Sequence, residues 1–201
     1  MFLHPWIGKD YKEGINNEKI LILGESHYSS SFNNNQEFSN FTAEVVEDIV
    51  SNKIPIKFMQ NVGYLFNDDW SVVWDKIAFA NLIQFVFDNP TETPNKEQIA
   101  TVVTFYKYLE ILKPDKVIVC SNRAWWLWFE KHIDITEGVQ LIKEAQLGLS
   151  YIIKYPHSTG KSLTIGINHP SDRNTPSKES YRTKWKPVID TFLDYSFTIE
   201  K

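Results

Sequence analysis

Lys19-Ile-Leu-Ile-Leu-Gly-Glu-Ser-His-Tyr28 joins a strand-like apolar run to four side chains that are able to do chemistry. The run from Lys19 to Leu23 predicts a buried strand, and a glycine then opens a loop of polar side chains. In an open α/β sheet, ligands bind just beyond the carboxyl ends of the strands. We therefore expect a binding site formed by Gly24, Glu25, Ser26, His27 and Tyr28.

The bulk composition is that of an ordinary globular domain. The 201 residues are 42% hydrophobic and 23% charged, which provides apolar material for one core and excludes a disordered or fibrous chain. The net charge of −4 argues against a protein whose whole surface binds nucleic acid, because phosphate binding needs clustered Lys and Arg. A local basic patch is compatible with this charge.

Aromatic residues make up 14% of the chain and include seven tryptophans. They predict a heavy aromatic core, with rings that stack on a planar ligand as the alternative. Cys120, the single cysteine, follows apolar residues, so we expect a buried core thiol rather than a nucleophile. One cysteine excludes an internal disulfide and a cysteine-ligated cluster within the chain, which fits a reducing cytoplasm.

The N-terminus lacks the basic start and the small-residue cleavage site of a signal peptide. No run approaches the roughly 18 apolar residues that a membrane-spanning helix needs. We therefore expect a cytoplasmic protein without a membrane partner.

Predicted strands and helices alternate along the rest of the chain. Further strands are expected at residues 77–86, 116–120, 151–155 and 163–167. Helices are expected up to Val50 after a cap at Ser39 or Thr42, within residues 56–66, over 94–112, after Ser121, and from 175 to about 193. This alternation predicts one three-layer αβα domain over residues 1–201, with a short, mostly parallel central sheet and an extended lead-in over residues 1–18.

Two more predicted strands carry polar residues of interest. Asn81 interrupts an apolar run, and an amide buried there needs backbone groups or a ligand as its partners. Asn168-His-Pro-Ser171 follows the last predicted strand directly. Together with the Gly24 loop, these segments form three candidate elements of one site.

In this order the three segments resemble the uracil-DNA glycosylase superfamily. Its members carry a glycine-led loop after the first strand, of the type G-Q-D-P-Y-H in one branch and G-E-[AG]-P-G in another, where this chain has Gly24-Glu-Ser-His-Tyr28. They carry an asparagine after a second apolar strand, similar to Asn81, and H-P-S after the last strand, which His169-Pro-Ser171 matches. Lys113-Pro-Asp-Lys-Val-Ile118 also resembles a K-P-x-x-[VI]-[VI] strand of the second branch. The resemblance covers about residues 19–172 and implies a uracil-DNA glycosylase-like fold.

The resemblance also implies a reaction, the cleavage of the N-glycosidic bond of uracil or of another deaminated or damaged base in DNA. Such cleavage builds positive charge on the sugar and negative charge on the base, so the site needs a carboxylate and hydrogen-bond donors. By resemblance, Glu25 and His169 are the catalytic residues. Asn81 binds the base edge, and Tyr28 stands against a thymine methyl group. Further substrate-binding candidates are Gly24, Ser26, His27, Ser171 and a stacking ring from Phe32, Phe38 or Phe41.

The chain departs from the superfamily pattern at three points. Ser26 stands where the first branch has a water-activating aspartate, so carboxylate chemistry is assigned to Glu25 as in the second branch. The four cysteines of the second branch's iron–sulfur cluster are missing, and we expect neither a cofactor nor a metal. Asp172-Arg-Asn-Thr175 replaces the apolar wedge that fills a duplex after base flipping. The expected partner is therefore DNA, single- or double-stranded, or a small ligand that contains a nucleobase.

A basic segment follows the H-P-S motif. From Ser171 to Lys186 there are five basic residues and two acidic ones. Arg173, Lys178 and Arg182 are therefore candidates for contacts with the DNA backbone, and a solvated helix face is the alternative.

Four other functions are compatible with these residues. The fold could bind a free nucleoside, nucleotide or other small ligand without acting on DNA, because a fold alone does not determine function. An esterase would use Ser26, His169 and Asp172, although the G-x-S-x-G elbow is absent. A metal hydrolase would use His27, His157 and His169, whose spacing matches no recognised ligand set. A non-catalytic binding module is the fourth alternative.

Overall fold

The computed structural model describes residues 2–28, 39–89, 102–129, 137–171 and 177–195. The strands are β1 (Trp6–Ile7), β2 (Ile20–Gly24), β3 (His27–Tyr28), β4 (Ile77–Asn81), β5 (Val86–Phe87), β6 (Lys116–Val119), β7 (Gln140–Leu147), β8 (Ser150–His157) and β9 (Gly160–Gly166). The helices are α1 (Phe41–Ser51), α2 (Lys57–Gly63), α3 (Trp70–Trp74), α4 (Val102–Leu112), α5 (Asn122–Ala124) with a π-helical turn (Trp125–Phe129), and α6 (Lys178–Asp194).

A mixed sheet of seven strands forms the centre of the described chain, in the order β1-β4-β2-β6-β9-β8-β7. The four central strands, β4, β2, β6 and β9, are parallel to one another. The expected parallel arrangement is thus confirmed at the centre, whereas β1 at one side and β8 and β7 at the other are antiparallel. The sheet as a whole is mixed, because β7, β8 and β9 form hairpins instead of crossing over through helices and β1 pairs antiparallel with β4.

Helices cover both faces of this sheet. The central strands are buried on both sides, and their side chains alternate between two apolar clusters. In β2, Leu21 and Leu23 pack towards α4 and the π-helical turn, while Ile20 and Ile22 pack towards α1, α2, α3 and α6. This arrangement supports the predicted helix–sheet–helix layering.

The parallel strands are held in a register that aligns their carboxyl ends. Gly24 of β2 pairs with Asn81 of β4, and Leu23 pairs with Val119 of β6. Beyond β9, the Ile167 N–H donates to the Val119 carbonyl at 2.9 Å. The segments that follow β2, β4, β6 and β9 consequently meet at one edge of the sheet.

The N-terminal segment is more than an extended lead-in. Trp6 and Ile7 form β1, which pairs antiparallel with Phe79 and Ala78 of β4. The Trp6 indole N–H donates to the Trp74 carbonyl at 3.3 Å. Leu3 is fully buried, so this segment belongs to the core of the domain.

Three local expectations need correction. The strand predicted over residues 77–86 ends at Asn81, where the Leu82 N–H bonds to the Gly24 carbonyl and the chain leaves the main sheet. No strand was expected where β7 lies, and its pairing with β8 is interrupted by an irregularity between Ile142 and Gln146. The hydroxyl of Thr42 does not cap α1 and instead lies 2.8 Å from the His27 ring nitrogen Nε2.

The tryptophans and the cysteine behave as core residues. Trp125 and Trp128 are buried in the apolar cluster around α4, whereas Trp126 is 47% exposed. The Cys120 thiol is buried, and burial raises its pKa well above the ordinary value. Within the described ranges, no helix combines the length and apolar character needed to cross a bilayer.

Candidate functional site

A cavity of about 230 Å³ opens at the edge where the parallel strands end. Seven of the residues predicted for the site line it: Gly24, Glu25, Ser26, His27, Tyr28, Asn81 and His169. The rest of its wall is apolar and comes from α1, α2 and the residues beside them: Val45, Val46, Ile49, Ile56, Phe58, Met59 and the strand residue Phe79. The three segments that sequence resemblance singled out therefore converge on one space.

Gly24 and Asn81 lie side by side in the floor of the cavity. They are register partners at the ends of β2 and β4, and a β-carbon built on Gly24 would overlap the Asn81 Oδ1 atom. Asn81 is only 3% exposed, and its backbone carbonyl accepts a hydrogen bond of 2.9 Å from the Gln84 side chain. The absence of a side chain at position 24 therefore makes room for the amide of Asn81 beside the cavity.

The carboxylate of Glu25 is held by two residues that follow β6. The Ser121 hydroxyl donates to Glu25 Oε2 at 2.6 Å. Arg123 donates through Nε to Oε2 at 3.4 Å and through Nη2 to Oε1, forming an ion pair. The Glu25 side chain is 12% exposed, so its negative charge lies at the cavity wall beside a matched positive charge.

His169 is oriented by the loop that it belongs to. The Ser171 N–H donates to His169 Nδ1 at 3.1 Å, so in the neutral ring the proton lies on Nε2. The loop itself is fixed from both sides, since Asn61 Nδ2 donates to the Pro170 carbonyl at 2.6 Å and the Tyr181 hydroxyl donates to the Asn168 carbonyl at 2.8 Å. Ser171 therefore contributes through its backbone to the orientation of the imidazole.

His27 lines the cavity but is tied to α1. Its Nε2 atom lies 2.8 Å from the hydroxyl of Thr42, which is fully buried, and its ring packs edge-on against Phe41 at 5.1 Å. Burial lowers the pKa of His27 from 6.5 to about 4, so the ring is neutral near pH 7. This geometry makes His27 a neutral residue that anchors the Gly24 loop to α1.

The aromatic surface of the cavity differs from the expected one. Phe58 and Phe79 line it, with ring centroids 5.6 Å apart, and the Phe58 ring lies 5.4 Å from the His169 ring. Of the three predicted stacking residues, Phe32 and Phe38 lie outside the described residues, and Phe41 packs against His27. Phe79 could have been inferred, because it lies two positions before Asn81 and so shares its face of β4.

Arg123, Ser121 and Phe58 were missed by sequence reasoning. Ser121 was expected only as a helix cap, and it does cap α5 by accepting the Ala124 N–H at 3.1 Å. Its position after a parallel strand was the available signal, because such positions meet at the same edge of the sheet. Phe58 carried no comparable signal, since its spacing fits an ordinary apolar helix face.

The predicted contacts with the DNA backbone lie on α6. The Lys178 ammonium lies 3.1 Å from the centroid of the Tyr64 ring, and Arg182 forms an ion pair of 2.6 Å with Asp68. Neither residue lines the cavity. Arg173 lies outside the described residues.

The described residues that were predicted for an esterase or a metal hydrolase lie in different surroundings. The Ser26 hydroxyl is buried, with no hydrogen-bond partner among the described residues, and Asp172 lies outside them. His157 lies at the end of β8 in the hairpin with β9, and its side chain does not line the cavity. Across the described ranges, no group of three or more His, Cys, Asp or Glu side chains is arranged to hold a metal ion.

No protein-family model matches the chain, and a search among curated proteins finds no match.

Proposed function

We propose that this protein is a hydrolase of the DNA glycosylase type, which cleaves the N-glycosidic bond of uracil or of another deaminated base. The observation that supports this function most strongly is the convergence of Glu25, Asn81 and His169 on one cavity. These residues come from three separate segments, and each has a counterpart in the superfamily motifs that the chain resembles. Their common position is what a glycosylase site requires.

The cavity offers the polar groups that a pyrimidine edge needs. The Asn81 side chain carries both a donor and an acceptor, which matches the alternating groups on the edge of uracil. His169 presents its Nε2–H as a donor, because its Nδ1 is already occupied by Ser171. A base held by Asn81 would thus meet a second hydrogen bond to one of its carbonyl oxygens from His169.

The size and lining of the cavity favour a single-ring ligand. Pockets for drug-sized ligands usually measure about 300–1,000 Å³, and this cavity measures about 230 Å³. Phe58 and Phe79 provide ring surface for stacking on a planar base. Tyr28, which is 39% exposed, stands at the cavity wall where a larger or methylated base would have to fit.

In the proposed reaction the bond between the sugar and the base nitrogen breaks with its electrons moving to the base. His169 stabilises the negative charge that develops on the base oxygen through its Nε2–H. Glu25 stabilises the positive charge on the sugar and orients the attacking water. The water oxygen forms the new bond to the sugar and keeps one proton as the sugar hydroxyl, and the other water proton ends on the released base.

The test is a uracil-excision assay on labelled single- and double-stranded oligonucleotides. Wild-type protein should release uracil, and Glu25→Gln, His169→Ala and Asn81→Ala should each lose most of this activity, by about 10²–10⁴-fold for the catalytic groups. Glu13→Gln and His4→Ala serve as matched controls, because both residues are exposed and lie outside the cavity wall. Equal excision by wild type and the Glu25→Gln and His169→Ala variants would reject the proposed chemistry.

A second candidate function is binding of a free base or nucleoside without cleavage. The ion pair of Glu25 with Arg123 favours it, because the guanidinium offsets part of the negative charge that would otherwise stabilise the sugar cation. Titration calorimetry with uracil and uridine would detect such binding. Binding that is lost in Asn81→Ala, together with no excision by the wild type, would select this function over hydrolysis.

A further inference from the structure

Two residues that bind the Glu25 carboxylate, Ser121 and Arg123, have no role in the reaction as described above. Both residues lie at the start of α5 and are separated from Glu25 by 96 and 98 positions in the chain. Neither residue lines the cavity, whereas Glu25 does. Any influence that they have on the bound base is therefore exerted through the carboxylate.

Ser121 has its hydroxyl orientation fixed by a second bond. The oxygen accepts the Ala124 N–H at 3.1 Å as the cap of α5, so the remaining O–H proton is directed to Glu25 Oε2 at 2.6 Å. The residue is only 3% exposed, which shields both bonds from water. A side chain of this kind holds one carboxylate oxygen in a single position.

Arg123 fixes the orientation of the carboxylate plane of Glu25. Its Nε and Nη2 atoms donate to the two different oxygens of Glu25, and a guanidinium fork fits a carboxylate in one relative orientation. Oε2 receives bonds from both Ser121 and Arg123, whereas Oε1 receives one from Arg123. Among the described residues, Oε1 therefore keeps the larger unused acceptor capacity.

We infer that Ser121 and Arg123 are positioning residues for the Glu25 carboxylate, which they orient so that Oε1 accepts the hydrogen bond of the attacking water. This inference rests on the proposed glycosidic hydrolysis. It assigns to α5 a role in the chemical step, although α5 contributes nothing to base recognition. Base binding through Asn81 and His169 is independent of these two residues.

The test measures excision kinetics for Arg123→Ala, Arg123→Lys, Ser121→Ala and Ser121→Thr. Arg123→Ala and Ser121→Ala should lower kcat by about ten- to a hundredfold, because small errors in orientation are costly in the chemical step. KM should stay near the wild-type value. Ser121→Thr should keep most of the activity, since it preserves the hydroxyl, and Arg123→Lys should recover only part of it, because an ammonium lacks the fork.

Chemical rescue separates positioning from a general structural defect. Guanidinium ion at non-denaturing concentrations should restore kcat in Arg123→Ala, whereas urea, a neutral analogue, and sodium chloride at the same concentration should not. Far-ultraviolet circular dichroism and urea denaturation establish that each variant is folded. If Arg123→Ala does not fold, the partial loss of kcat expected for Arg123→Lys tests the positioning role instead.

Different results would overturn the positioning role and the proposed function. Wild-type excision that persists unchanged in folded Arg123→Ala and Ser121→Ala, or a change in KM alone, would overturn the positioning role and leave the proposed function intact. No excision by the wild type would overturn the proposed function and this role together.

Discussion

Gly24 and Asn81 end two neighbouring parallel strands in register, and a β-carbon on Gly24 would overlap the Asn81 Oδ1 atom. A side chain at position 24 would therefore compete for space with the Asn81 amide, which is proposed to bind the base. We predict that Gly24→Ala displaces the Asn81 amide, lowers uracil excision by at least about tenfold, and costs about 1–3 kcal/mol of unfolding free energy through overpacking. Excision kinetics and urea denaturation measure the two effects.

Gly160→Ala is the matched control for this change. A β-carbon at position 160 meets its nearest neighbour, His157 Cε1, at 3.5 Å, which is an ordinary contact. Its unfolding free energy should stay within about 0.5 kcal/mol of wild type, and its excision rate should be unchanged. Wild-type activity in Gly24→Ala would contradict the placement of Asn81 in the binding site.

The stability of the fold should depend on pH through His27. Burial lowers its pKa from 6.5 to about 4, so between these values the unfolded chain binds a proton at His27 that the folded chain does not. Unfolding free energy should therefore decrease as pH falls from about 6.5 to about 4, by on the order of 3 kcal/mol from this residue. Above pH 6.5 the contribution is constant.

Urea denaturation of wild type and His27→Gln at about pH 7 and about pH 4.5 measures this dependence. Glutamine keeps a polar group near Thr42 but does not titrate, so the variant should lose the part of the pH dependence that His27 supplies. The comparison cancels the contribution of His157, whose pKa is also lowered by burial. The same pH dependence in both proteins would contradict a partly buried, neutral His27.

Lys116 should be a major source of stability. Its ammonium is buried, donates to the Phe192 and Tyr195 carbonyls at 3.0 and 2.5 Å, and lies 3.4 Å from Glu18. Lys116→Met should lower the unfolding free energy by about 2–4 kcal/mol, because it leaves the carbonyls at the end of α6 and the half-buried carboxylate of Glu18 without this cation.

Lys9→Met tests whether the loss at position 116 comes from burial. Lys9 also forms an ion pair, with Asp75 at 2.9 Å, but its side chain is 71% exposed. Exposed pairs contribute little, so Lys9→Met should leave the unfolding free energy close to that of wild type. Similar losses of unfolding free energy for both variants in urea denaturation would show that burial of Lys116 does not add to its contribution.

Phe58 should contribute to the affinity for the base. Its ring lines the cavity and lies 5.4 Å from the His169 ring. Phe58→Ala should weaken uracil binding by about 1–3 kcal/mol, which is the usual contribution of aromatic stacking on one base. Titration calorimetry measures the change, with Phe58→Leu retaining apolar bulk without a ring.

Phe85→Ala is the control for a phenylalanine outside the cavity. Phe85 is 48% exposed, and its ring lies 6.3 Å from the ring of Phe87. Its replacement should leave uracil affinity unchanged. Equal losses from Phe58→Ala and Phe85→Ala would place the base elsewhere.

Sequence alone was sufficient to place the polar segments that follow β2 and β9, whereas Asn81 was expected inside a longer strand and the functional residues after β6 were missed. The runs that became β2, β6 and β9 are short and apolar, so local pattern identifies where they lie in the chain. The run that contains β4 continues with apolar residues to Val86, so local pattern did not show where that strand ends. Parallel strands share one orientation, which brings the residues at their carboxyl ends to the same edge. Gly24 and His169 could therefore be predicted as neighbours, whereas Asn81 was assigned to the same site by the family resemblance.

Tertiary structure alone decided what surrounds these residues. Arg123 and Glu25 are 98 positions apart, and no local pattern pairs them. The turn of α2 that directs Phe58 into the cavity, and the packing that places Thr42 against His27, result from helices docking on the sheet. Periodicity shows which face of a helix is apolar, but contacts across the chain decide which of those apolar side chains pack in the core and which line a site.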